Sequence, residues 1–411
     1  MRLLLVPLLL LASQPTPGRV LTLTTGGGAY GVLQLRIDDS SAAASAAALD
    51  VLVDGRRDQV ILLTPGVKRS GYAGLVGPLT AGTHEVRLAR SPLWPWDDSL
   101  RITDATISVV PPDDTRAEIF AHAPAIGIRA DTVGSASDLP LLMYAEDVAE
   151  GPSRWLRYSV IFSHEDGGTP GVALMARWGR TTDIELAYEV ELRGARAVQA
   201  RYQGPDHRVM TKNRLDVRPP LLVVSTLNNM FLDRGHAAAV VRMVPEIVDL
   251  SQRSRESVMD ERPWLYRVMA RELAAERPAG VGDPLDYLFV DLRLDSRAAG
   301  VALGARSPDG VTRWSDRGRP DLVVSRQGEL RLAVPVPARQ SVDALAVRCD
   351  PRPDASQPTP PESGRCTVEL RRAFRLDRDH QPRPSLLSAT RVEIDAGTAR
   401  EIALAADKID P

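Results

Sequence analysis

A chain of 411 residues exceeds one ordinary domain of about 100 to 200 residues, so two or three domains are expected. Its 44% hydrophobic and 25% charged residues are those of a globular protein, and 32 Pro with 30 Gly favour turns and short strands. Lys and Arg number 51 against 53 Asp and Glu, a net charge of -2 that gives no basic field for nucleic acid, which is set aside as a partner.

Met1-Arg2, the apolar run Leu3 to Ala12 and the Pro-bearing SQPTPG read as a cleaved signal peptide over residues 1–18, because about ten apolar residues fall short of the ~20 a spanning helix needs. The chain is therefore expected to be secreted or periplasmic. No Cys follows the run, so no lipobox is present, and no later stretch is long and apolar enough for a membrane span in the mature chain.

Residues 19–112 alternate short apolar runs (RVLTLTT, GVLQLRID, LDVLVDG, QVILLTPG, HEVRLAR, SLRITDATISVV) with turns and predict an Ig-like accessory β-sandwich. Trp94 and Trp96 in SPLWPWDDS fit a loop or edge, either as a packing plug between domains or as a sugar-stacking platform. PPDDT at 111–115 reads as a linker. A central β-rich domain over 116–278 ends in the one clear helix, 257–276, where Trp264, Leu265, Val268, Met269 and Leu273 share a face. From 283 to 411 β patterns resume as a second sandwich, with Cys349 and Cys366 spaced to form a disulfide around a Pro-rich loop. The fold class is thus mainly β and multidomain: Ig-like β-sandwich modules flanking a central antiparallel sheet.

Within the central part, Leu156 to Phe162, Val172 to Trp178 and Ile184 to Leu192 all alternate apolar and polar residues and predict a three-strand meander. A three-residue turn Arg180-Thr181-Thr182 sets Trp178 opposite Ile184 and pairs Arg177 with Glu185 across the strands. The loops SHEDGGTPG and RTT then lie at opposite ends of the sheet, with Arg180 and His207 at the RTT end and LNNMFLDRGH returning to the HEDGGT end. His164, Glu165 and Asp166 become the candidate catalytic residues, because paired carboxylates with a His supply the acid and base of glycoside cleavage. Thr169, Asn228, Asn229, Asp233 and His236 are the candidate ligand-binding residues. Glu165, Asp166 and Asp233 could supply the oxygen ligands of a calcium ion, without a D-x-D-x-D-G loop to support it. His164 with His236 lacks the ligand spacing of zinc-enzyme helices, and no G-x-S-x-G, P-loop or H-E-x-x-H motif occurs, nor a dinucleotide G-x-G-x-x-G between a strand and a helix. TTGGGAYG precedes a strand and reads as a turn, and His122 in its apolar setting reads as a structural histidine.

The leading expectation is an exported protein whose central domain binds an extracytoplasmic ligand, a polysaccharide or other cell-envelope polymer. The alternatives are a secreted hydrolase using the 164–169 carboxylates, and a non-catalytic adhesion or assembly protein.

Overall fold

The computed structural model describes residues 18–38, 46–64, 71–96, 100–165, 167–276, 280–296, 299–351 and 364–406. Apart from Gly18 the expected signal peptide lies outside the described residues, as does Asp166. The protein is mainly β and its strands form five sheets.

The first sheet contains β1 (Val20–Asp38), β2 (Ala47–Val53), β3 (Arg56–Leu63), β4 (Gly71–Arg90) and β5 (Arg101–Val110), in the order β3-β2-β4-β1-β5. All five strands share one hydrogen-bonded antiparallel sheet, so the two-sheet division expected of an Ig-like module is not present in the pairing. Strict alternation buries both of its faces. Leu33, Leu35, Leu49, Val51, Ile61 and Leu63 form a core of their own, while the intervening Val32, Ala48, Val60 and Leu62 join the core of the central part. Trp94 acts as a plug there: it packs on that central core and donates its indole N–H to the Val133 carbonyl at 2.6 Å.

The PPDDT stretch starts a helix. Asp114 is the N-cap of α1 (Thr115–His122), accepting from the Arg116 N–H at 2.8 Å. His122 at its end is buried, and burial lowers its pKa to about 4, so the ring is neutral near pH 7. There follow β6 (Ala125–Ile128), α2 (Ala130–Ser135), β7 (Pro140–Glu150), β8 (Ser153–Phe162), α3 (Gly171–Trp178), β9 (Asp183–Arg193), β10 (Arg196–Gln203) and β11 (Val209–Thr211). After these come β12 (Leu221–Val224), β13 (Phe231–Leu232), β14 (Ala239–Val241), β15 (Glu246–Ile247) and α4 (Pro263–Glu276). They make a six-stranded sheet, β11-β10-β9-β8-β7-β15, and a four-stranded one, β13-β12-β6-β14.

Residues 171–178 are a helix rather than the middle strand of a meander. Its central residues 173–177 are Ala, Leu, Met, Ala and Arg, all good helix formers. Pro170 precedes it, and Gly179 ends it at φ +61, donating its N–H to the Met175 carbonyl at 3.0 Å. Ala173 and Ala176 are small enough to bring the helix against Leu322 of the C-terminal part, a contact no local pattern encodes. An eight-residue apolar run fits both periods, and packing decided between them. Consequently β8 pairs directly with β9, with Val160 opposite Glu185, Ile161 opposite Ile184 and Phe162 opposite Asp183. The predicted Trp178–Ile184 register and the Arg177–Glu185 ion pair do not form; Arg177 lies over the Trp178 ring instead, 4.5 Å from its centroid.

The helix expected over 257–276 is divided. Arg255–Glu261 is a 3-10 segment, and α4 starts at Pro263, because a proline disfavours helical backbone in the residue before it but fits the first turn of a helix itself. Leu265, Val268, Met269 and Leu273 are buried on one face as expected, with Trp264 packed beside them.

In the C-terminal part, β16 (Tyr287–Asp295), β17 (Ala299–Arg306), β18 (Thr312–Trp314), β19 (Gly328–Pro335), β20 (Ala344–Pro351), β21 (Arg365–Phe374), β22 (Thr390–Asp395) and β23 (Ala399–Ala403) form two four-stranded sheets. Their orders are β19-β16-β21-β22 and β18-β17-β20-β23, and they share one core. The Cys349–Cys366 disulfide joins β20 to β21, one strand from each sheet, inside that core. Among the described residues no helix is long and apolar enough to cross a membrane.

The disulfide closes a loop with a sequence separation of 17. Replacing both cysteines by Ala is expected to lower the unfolding free energy by about 3 kcal/mol in the chain-entropy account, read as a downward shift in the urea midpoint. A midpoint that does not move would show that core packing alone holds the two sheets together.

Candidate functional site

Direct pairing of β8 with β9 fixes where the chemistry sits. The chain leaves the sheet at Phe162 and re-enters at Asp183, opposite the same position, so HEDGGT and GRTT come back to one end rather than two. The two side chains expected at the far end, Arg180 and His207, are at this end as well. They line a cavity of about 360 Å³ together with Glu165, Thr169, Asp183, Glu185, Gln203, Asn228 and Arg255, with Leu174 and Trp178 of α3 as its apolar wall.

Asp183 and Glu185 are alternate residues of β9 and so project to one face, where they are 1% and 6% exposed. Asp183 accepts from the Asn229 amide at 3.0 Å, and the same amide donates to the His164 carbonyl at 3.1 Å. Asn229 is fully buried and sits at φ +51, a backbone conformation that Asn tolerates better than most residues. Glu185 is hydrogen-bonded to Asp183, and burial together with the Asp183 charge pushes its pKa well above the ordinary range. Glu165 is raised for the same two reasons, burial first and Asp183 second, and its carboxylate accepts from the Thr169 N–H at 3.0 Å. Three carboxyls therefore share the cavity, and burial with the neighbouring Asp183 raises the pKa of the two glutamates.

Gln203, at the end of β10, uses its amide N–H groups on Glu185 Oε2 and on His207 Nδ1, each at 2.7 Å. The Asn228 amide nitrogen lies 3.2 Å from His207 Nε2, so two side-chain amides flank the ring. His207 is held at φ +57 in the turn that aims it at the mouth. Behind the cavity Arg180 is 2% exposed, its Nη1 donating to the Thr182 carbonyl, while Glu256, 1% exposed, stands 3.6 Å from Arg180 Nε and 3.5 Å from Arg255 Nε.

Of the residues singled out from sequence, Glu165, Thr169 and Asn228 line the cavity, and His164 and Asn229 support it through the backbone carbonyl and amide just described. Asp233 is turned to Lys212, with Nζ to Oδ2 at 3.6 Å, and His236 is exposed; neither lines the cavity. Among the described residues no group of three or more His, Cys, Asp or Glu is placed to hold a metal ion. Sequence reasoning missed Trp178, Arg180, Asp183, Glu185, Gln203, His207 and Arg255. The missed signal was the burial of charge: Arg180 to Glu185 contains four polar residues in a row, which a solvated hairpin turn would leave exposed and which here are 0–2% exposed.

A larger concavity, about 690 Å³, lies by Arg177 and the C-terminal sheets. Its main cation, Arg348, is already paired with Asp316 at 2.6 Å and Asp350 at 2.8 Å, so its charges are spent on one another. Compared with known protein families, curated proteins and solved structures, the chain finds no match in any of the three.

Because the folded protein favours a proton on Glu185, the stability tied to that proton is present below the ordinary pKa of 4.5 and is lost as pH rises through the higher folded value. Glu185→Gln, which cannot ionise, is expected to lose less stability than the parent between about pH 4.5 and pH 7.5. Urea midpoints at the two pH values check this; an equal loss in both proteins would place the Glu185 proton elsewhere.

Proposed function

We propose that this chain is an exported protein that binds a small polyhydroxylated ligand, one or two sugar units of an extracytoplasmic glycan, in the cavity between β9, α3 and the 165–169 loop. The observation that carries the reading is the convergence of polar groups from five separate segments on one cavity whose floor is buried. A volume of about 360 Å³ is at the small end of ligand pockets. Hydroxyl groups both donate and accept, and the walls offer both roles: guanidinium and Asn228 N–H groups donate, while the carboxyl oxygens and the Gln203 amide oxygen accept. The Leu174 and Trp178 side chains supply the apolar surface against which ring C–H groups pack. Export is supported by the disulfide, a cross-link that persists in oxidising compartments.

A second reading, glycoside hydrolysis, is favoured by the three carboxyls that share the cavity. Burial and Asp183 raise the pKa of Glu165 and Glu185, which suits a glutamate to the acid of such cleavage: the acid protonates the leaving oxygen as a second carboxylate takes a proton from the attacking water.

Calorimetric titration with neutral mono- and oligosaccharides is expected to give saturable binding that Gln203→Ala weakens about tenfold, the value of one hydrogen bond of roughly 1.4 kcal/mol. No saturation with any saccharide overturns the reading. Under the second reading the same saccharides are cut, and Asp183→Asn lowers turnover by about 10²-fold or more while binding persists; binding without any cleavage by the unaltered protein leaves the first reading alone.

A further inference from the structure

We propose that the sugar bound in this cavity carries a carboxylate, taken by the guanidinium groups of Arg180 and Arg255; the inference rests on the saccharide reading above and narrows it to acidic sugars such as uronic acids.

The argument starts from unspent donors. Arg180 has five N–H groups and is 2% exposed, yet its hydrogen bond is to the Thr182 carbonyl, and its Nε is buried without a hydrogen-bond partner. Its carboxylate neighbours stand off, Glu256 Oε1 at 3.6 Å from Nε and Asp183 Oδ1 at 3.7 Å from Nη1, beyond the roughly 2.7–2.9 Å of a charge-assisted hydrogen bond. Arg255 repeats the pattern: among the described residues its ion pair is with Glu256 at 3.5 Å, and its side chain keeps 37% of its surface free while lining the cavity.

Arg326 approaches the same Glu256 oxygen at 4.0 Å, so three guanidinium groups crowd round one carboxylate, neither of whose oxygens makes a hydrogen bond. Leaving buried donors without a partner is costly, and a ligand oxyanion between Arg180 and Arg255 would relieve it. A carboxylate suits the planar fork of Arg, which can hold both of its oxygens at once. Across the cavity, burial and Asp183 raise the pKa of both Glu165 and Glu185, which lessens the repulsion they offer an incoming anion. A phosphate or sulfate ester would draw on the same donors, so the test separates the oxyanions.

Calorimetry on the full chain with glucuronate, galacturonate, glucose, glucose 6-phosphate and glucosamine decides the matter. The expected result is that the uronates bind at least about tenfold more tightly than glucose, the ratio one charge-assisted bond supports, and that Arg255→Gln brings the ratio towards one. Arg255→Lys, which keeps charge but loses the fork, should retain only part of the preference. Glucose binding as tightly as the uronates, a preference for glucosamine, or a preference for glucose 6-phosphate overturns the carboxylate assignment while the saccharide reading stands. Absence of binding by every one of these sugars overturns both.

Discussion

The pairing of Phe162 with Asp183 across β8 and β9 is the constraint from which the cavity follows. Two neighbouring strands that end in register oblige everything between them to leave the sheet and return at a single edge. The excursion over residues 163–182 therefore places a loop, a helix and a turn above one end of the sheet, and adjacent β10 delivers Gln203 to that same end. A sheet interior is rigid on the scale of hydrogen bonds, so Asp183 and Glu185 project from a fixed platform while the loop residues approach from above. The result is a polar pocket whose floor is a strand and whose rim is a loop.

Burying charge there is costly, and the surrounding structure offsets the cost by tying the floor to the C-terminal sheets. Arg331 of β19, fully buried, is held by Asp291 at 2.6 Å and Asp260 at 2.8 Å and by the Tyr266 hydroxyl at 2.6 Å, and it donates to the Glu256 carbonyl at 3.2 Å. Gly179, immediately before Arg180, packs so closely on Arg331 that a Cβ there would lie 2.7 Å from its side chain. One guanidinium thus sets the height of both the GRTT turn and the 3-10 segment that carries Arg255 and Glu256. Removing one partner from such a cluster strands a buried charge at a cost of about 3–5 kcal/mol, which makes the cluster a rigid joint rather than a hinge.

The β character, the Cys349–Cys366 bridge and the apolar face of the main helix were legible in the sequence because each depends on spacing within a short window. The central site was only half legible. Treating Val172, Leu174, Ala176 and Trp178 as a strand inserted an extra reversal of chain direction, and one extra reversal moves Arg180 and His207 to the wrong end of the sheet. Pro170 and Gly179, bracketing a run of helix formers, were the local evidence against that strand. Alternation over eight residues was too short to outweigh either possibility. Glu165, Thr169 and the 228–229 pair were found because polar loops on a sheet end can be recognised without knowing the register.

By itself the sequence determined that the chain is mainly β, that one apolar helical face runs from Leu265 to Leu273, and that two cysteines lie within reach of one another, since these follow from local backbone preference and residue period. Tertiary structure alone decided which charged residues are buried together. The 180–185 stretch meets Gln203, His207 and Arg255 from elsewhere in the chain, and the burial they share exists only once α3 and the C-terminal sheets have closed over the end of β9. The stretch HEDGGTPGVALMARWGRTTDIE is contiguous in sequence and lies at one site in space because a helix, and not a strand, joins its two halves.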